Sequence, residues 1–143
     1  MRTLRALVVV VLGLALLAAA CGSGGESKAE IQAKVKANWE KFFNPSVATS
    51  QKVALIQNAK DPKVKAAIDA GINNPQVKTI RANVKTVTPK GDTAAVKYDL
   101  VSVQTGVPVL PGADSIAIKE NGTWKVSQQT FCVLIKLGGG PAC

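Results

Sequence analysis

Residues 79–103, TIRANVKTVTPKGDTAAVKYDLVSV, decide how this chain folds. Ile80, Ala82 and Val84 alternate with Arg81, Asn83 and Lys85. After TPKGD, Ala94, Val96, Tyr98 and Leu100 share one face while Lys97 and Asp99 take the other. A period of two places successive side chains on opposite faces of a sheet, so the stretch predicts two antiparallel strands, each with one apolar face for a core. Downstream, SIAIKE (115–120) and TWKVS (123–127) flank Asn121-Gly122, the dipeptide suited to the positive φ angles of a type I′ hairpin turn. That turn also accounts for Asn121-Gly122-Thr123, formally a glycosylation acceptor. Between the two hairpins, TGVPVLPGAD (105–114) reads as a Gly/Pro-rich connection.

Upstream the period is helical. Ser27 and Glu30 form an S-x-x-E capping box, and Ile31, Val35, Trp39 and Phe42 make one apolar stripe. Glu30 and Lys34 are a favourable i, i+4 pair, and Asn44-Pro45 stops the helix because proline excludes its predecessor from helical angles. A second helix is predicted over SQKVALIQNA (50–59), with Val53 and Ile56 inward. A third has Asp61 as cap, Pro62 in its first position, Val64 and Ile68 inward and Gly71 at its end. Helices followed by an antiparallel meander mean an α+β fold, helices packed on one face of a curved sheet.

The first twenty residues differ from the rest. Arg2 and Arg5 precede an apolar tract from Ala6 to Ala20, shorter than the roughly 20 residues a membrane span needs. This is the charged and hydrophobic layout of a signal peptide over 1–20. Ala18, Ala19 and Ala20 before Cys21 resemble the lipobox of bacterial lipoproteins, with Ala18 where Leu is usual. The resemblance implies lipidation at Cys21, a Gly/Ser tether within 21–26, and one domain over 27–143 at the extracytoplasmic face of the membrane. The alternative is an ordinary signal peptide that leaves Cys21 free in a secreted protein.

The chain carries a net charge of +9, and without Arg2 and Arg5 sixteen basic residues face nine acids. The basic residues are scattered lysines with no aromatic interleaving, which argues against nucleic acid. Lys28, Lys34, Lys36 and Lys41 follow the tether, where an anionic lipid surface or envelope component would attract them; a solvated face serving solubility is the other reading. In an exported domain, Cys132 and Cys143 are spaced for a disulfide. With no histidine and no C-x-x-C pair, no metal site and no cofactor are expected.

From NPSVATSQKVALIQNAK through TAAVKYDLVSVQTGVPVLPGA to NGTWKVSQQTFCVLIKLGGGPAC, the chain resembles the actinobacterial low-molecular-weight secreted antigen family. Its C-terminal domain is similar to the nuclear transport factor 2-like cone. The resemblance implies that TFCVLIKL (130–137), whose branched residues suit a strand, is a short C-terminal helix capped by Thr130 and ended by Gly138. It implies no reaction. Catalysis is not expected from the residues either: of the nine carboxylates only Asp99 and Asp114 are unassigned, Asp99 as a surface partner of Lys97 and Asp114 in a loop. The expectation is a non-catalytic envelope-binding or interaction domain. The alternative is a carrier of an apolar ligand in a cavity lined by Trp39, Phe43, Tyr98 and Trp124, side chains that equally suit a packed core.

Overall fold

Helix α1 (Lys28–Phe42) starts at the capping box: Ser27 Oγ accepts from Glu30 N at 3.2 Å, and Glu30 Oε2 accepts from Ser27 N at 2.7 Å. Helix α2 (Thr49–Val53) is short, α3 (Pro62–Gly71) is capped by Asp61, and a 3-10 turn (Pro75–Thr79) leads into the sheet. Strands β1 (Ile80–Lys90), β2 (Thr93–Ser102), β3 (Pro108–Glu120) and β4 (Thr123–Val126) form an antiparallel meander in the order β1-β2-β3-β4, and α4 (Gln128–Leu137) closes the chain. The structure is a computed structural model and describes residues 24–72, 74–141 and 143. The segment 1–20, read above as a signal peptide, and Cys21 lie outside the described residues.

The fold is α+β, as the order of helical and two-residue periods predicts, and cone-like, as the family resemblance implies. The sheet curls because its ladders are broken by bulges, one between Val84 and Thr86 on β1, one on β3 opposite Asp99 and one between the Leu100 and Val101 pairs of β2 and β3. Curling leaves β1 and β4 as facing edges, and α1 bridges them. Gln32 Nε2 donates to Val87 O on β1 at 2.9 Å, and Asn38 Nδ2 donates to Trp124 O on β4 at 2.7 Å. Polar side chains of one helix thus occupy carbonyls on both edges, protecting them from further strand pairing.

Three expectations are corrected. The connection expected over 105–114 is largely strand, since β3 begins at Pro108. Pro111 and Gly112 do not end it because they sit at a bulge, where Gly112 takes φ +64° and its N donates to Asp99 Oδ1 at 2.8 Å instead of to the ladder. The second helix stops at Val53, not Ala59. Leu55 to Gln57 instead runs parallel to β4, with Val126 N donating to Leu55 O at 2.8 Å and Gln57 N to Val126 O at 2.9 Å. The C-terminal helix starts earlier than expected: Ser127, not Thr130, is its cap, with Ser127 Oγ accepting from Thr130 N at 3.1 Å.

The core lies between α1, α3, α4 and the concave face of the sheet. Val35, Ile56, Val64, Val96, Val126 and Phe131 are buried in it, each aliphatic side chain contributing about 1.5–3 kcal/mol by leaving water. Cys132 and Cys143 are bonded, with Cα atoms 5.5 Å apart, and fold the glycine-rich tail back over α4. Gly140 N donates to Ile135 O at 2.9 Å.

Candidate functional site

An aromatic row runs through the interior. Trp39 meets Tyr98 edge-on at 6.3 Å between ring centroids, Tyr98 lies 5.7 Å from Phe43, Phe43 meets Phe42 at 5.0 Å, and Phe42 meets Phe131 at 6.4 Å. Trp39, Tyr98 and Trp124 are only 1–2% exposed. These rings fill the interior, as close packing requires.

At the Phe42–Phe43 end of the row the molecule opens. An apolar cleft of about 410 Å³ lies between the end of α1, α3, the 3-10 turn, α4 and the sheet. Phe42, Phe43, Ile72, Leu110, Leu134 and Ile135 wall it, and no Asp or Glu lines it. It lies where β1 and β3 begin and β2 ends, away from the turns at Gly91 and Asn121-Gly122. Its mouth carries Val109, 57% exposed, and Leu137, 70% exposed. Large apolar side chains this exposed around one opening are a feature of binding surfaces.

One charged side chain belongs to the cleft. Lys52 of α2 is 6% exposed, yet among the described residues no carboxylate stands within ion-pair distance of its Nζ. Burial holds its pKa below the ordinary lysine value, and the nearby exposed Lys78 adds to that. No carboxylate of the described residues neutralises this ammonium, so an anion brought to the cleft wall would find a cation there.

The residues expected to line a cavity are divided by the structure. Phe43 lines the cleft. Trp39 and Trp124 do not, because their elements aim them into the filled interior. Tyr98 borders a separate groove between α4 and β3, and its hydroxyl accepts from Ser115 Oγ at 3.1 Å. Lys52 carries no sequence signal: it is one of fifteen lysines, in a five-residue helix too short to display a periodicity.

The carboxylates serve structure. Asp99 pairs with Lys85 at 3.2 Å and not with Lys97, because Lys85 sits at the β1 bulge; Lys97 pairs with Asp114, its cross-strand partner, at 2.9 Å. Asp114 is therefore a strand residue rather than a loop residue. Gly112 N and Lys85 hold Asp99 below the usual carboxylate range. Glu26 precedes the cap of α1. It binds Lys119 at 2.7 Å, Trp124 Nε1 at 3.2 Å and Lys34, which lower its pKa to about 2. Of the lysines after the tether, Lys34 and Lys36 are thus paired, with Glu26 and Glu40. Among the described residues no group of three or more His, Cys, Asp or Glu is placed to hold a metal ion, and no helix is long and apolar enough to cross a membrane.

Fold and site define a small α+β domain with one apolar, cation-bearing cleft. The chain belongs to the family of the low molecular weight antigen MTB12, C-terminal domain, whose model matches residues 28–142. No curated protein matches it.

Proposed function

We propose that this chain is an exported lipoprotein held at the extracytoplasmic face of the membrane by a lipid on Cys21, and that its domain binds an apolar envelope component without catalysis. The anchoring rests on the sequence: Arg2 and Arg5, the tract 6–20, the alanines before Cys21 and the Gly/Ser tether. The absence of turnover rests on the roles taken by the acids other than Asp92, as caps, ion pairs and a bulge plug, and on the lack of histidine.

The observation that carries the binding role is the cleft at the end of the aromatic row. Its volume of about 410 Å³ falls within the roughly 300–1,000 Å³ of small-molecule sites. This favours a carrier over a domain that acts only through its outer face. An acyl-chain probe that fluoresces on leaving water tests it. Uptake is expected in the wild type and in Val133→Trp, on the outer face of α4, and should fall at least several-fold in Val109→Trp, which obstructs the mouth. Equal uptake by the two variants contradicts a role for the cleft.

A further inference from the structure

The cleft is apolar but not neutral, and the one charged residue that lines it constrains what enters. Lys52 lines the wall with no carboxylate within ion-pair distance of its Nζ among the described residues, and the exposed Lys78 adds positive potential nearby. A cation beside an apolar wall, shielded from water on one side, attracts an anion more strongly than the same group free in water. The apolar wall asks at the same time for hydrocarbon. One occupant answers both demands: an amphiphile with its anionic head against Lys52 and its chain along Phe42, Ile72 and Leu134.

We infer that the occupant of this cleft is the anion of a single-chain fatty acid, whose carboxylate takes Lys52 as its counter-ion. The inference rests on the reading of the cleft as the binding site and deepens it. The occupant carries one chain, because about 410 Å³ lies at the small end of ligand sites. It carries a carboxylate, because one ammonium matches one negative charge. Neutral amphiphiles of equal length would enter the same cleft and leave Lys52 unpaired, which removes the charge-assisted hydrogen bond of the acid.

The test compares dodecanoate with dodecan-1-ol by calorimetry below their aggregation concentrations, on the wild type, Lys52→Met, Lys52→Arg and Lys78→Gln. Lys52→Met keeps the length and the apolar stem, and its melting temperature verifies that it folds. The wild type is expected to bind the acid about ten-fold or more tighter than the alcohol, the difference between a charge-assisted contact and an unpaired one. Lys52→Met should bring the two affinities together chiefly by weakening the acid. Lys52→Arg should retain most of the preference, and Lys78→Gln should reduce it only slightly. If the wild type binds acid and alcohol alike, or Lys52→Met keeps the preference, charge selection by Lys52 is overturned while the cleft remains a binding site. If neither compound binds, both the inference and the cleft reading fall.

Discussion

Glu26 and Trp124 are joined across 98 residues of sequence, Trp124 Nε1 donating to Glu26 Oε2 at 3.2 Å. The same oxygen accepts from Lys119 at 2.7 Å, so the segment before α1 is fastened to the last two strands beside the Asn121-Gly122 turn. The chain thus enters the domain at the hairpin end, while the cleft opens where β1 and β3 begin. Under the anchoring proposed at Cys21, a ligand would be presented away from the anchored end.

That junction makes the first prediction. The Glu26 carboxyl has a pKa of about 2 in the folded chain against an ordinary 4.5, so the unfolded state takes up its proton first as pH falls. The stability it confers is complete above about pH 4.5 and is lost as pH drops toward 2. Glu26→Gln should therefore lower the urea midpoint at pH 7, and the gap to wild type should close on acidification. Parallel midpoint curves across this range would exclude the role.

Lys52 has the opposite linkage. Its folded pKa lies below the ordinary lysine value because of burial and then Lys78, so the folded state gives up this proton more readily than the unfolded state. Its contribution to stability rises as pH climbs through that lowered value toward 10.5. Lys52→Met should leave the ligand-free domain at pH 7 at least as stable as the wild type, by removing a partly desolvated charge, and should flatten the alkaline rise. A lower melting temperature for Lys52→Met at neutral pH would mean that the ammonium is already satisfied.

Ile135 is pressed between two glycines. A Cβ at Gly71 would fall 2.1 Å from Ile135 Cδ1, and one at Gly140 would fall 2.5 Å from Ile135 Cγ2 and 3.1 Å from its carbonyl oxygen. The terminal Cδ1 can rotate away, but Cγ2 is fixed by the branched Cβ and the carbonyl by the helix. Gly140→Ala should cost about 1–3 kcal/mol, as overpacking does, and Gly71→Ala less. Chemical denaturation ranks the two, and the reverse order would contradict this packing.

Trp39 and Trp124 differ in what their indoles donate to. Trp124 Nε1 reaches Glu26, whereas Trp39 Nε1 is buried without a partner. Phenylalanine leaves a void at either site, but at position 39 it also removes an unsatisfied donor, a gain of about 1–3 kcal/mol that offsets part of the void. Trp39→Phe should thus be the milder substitution. A larger loss of melting temperature for Trp39→Phe would show that its N–H is satisfied.

The sequence announced those features that depend on neighbouring residues. The capping box of α1, the Asp61 cap, the two-residue alternation of β1 and β2 and the Asn121-Gly122 turn, with φ of 51° and 77°, are local and legible. What was missed depends on distant partners. Pro111 and Gly112 look like a loop until Asp99 occupies the bulge they form, and Ile56 looks helical until β4 offers it an edge. The cleft was misplaced for a similar reason. Trp39 and Trp124 were placed by size and by the inward faces of their elements, but in a filled interior the opening falls at the end of the aromatic row, and there only Phe43 of the four expected side chains is found. Lys52 is recognisable only once the folded chain buries it at the cleft wall.

The most direct measurement is a methyl-labelled NMR titration of the domain with dodecanoate, ligand-induced shifts being read residue by residue. The account predicts shifts at Ile72, Val109, Leu110 and Ile135, together with the Lys52 side chain, while Val133 on the outer face of α4 and the Trp39 and Trp124 indoles stay nearly unchanged. Shifts centred on Val133 and Ile116, in the groove between α4 and β3, or no saturable shifts at all, would contradict it.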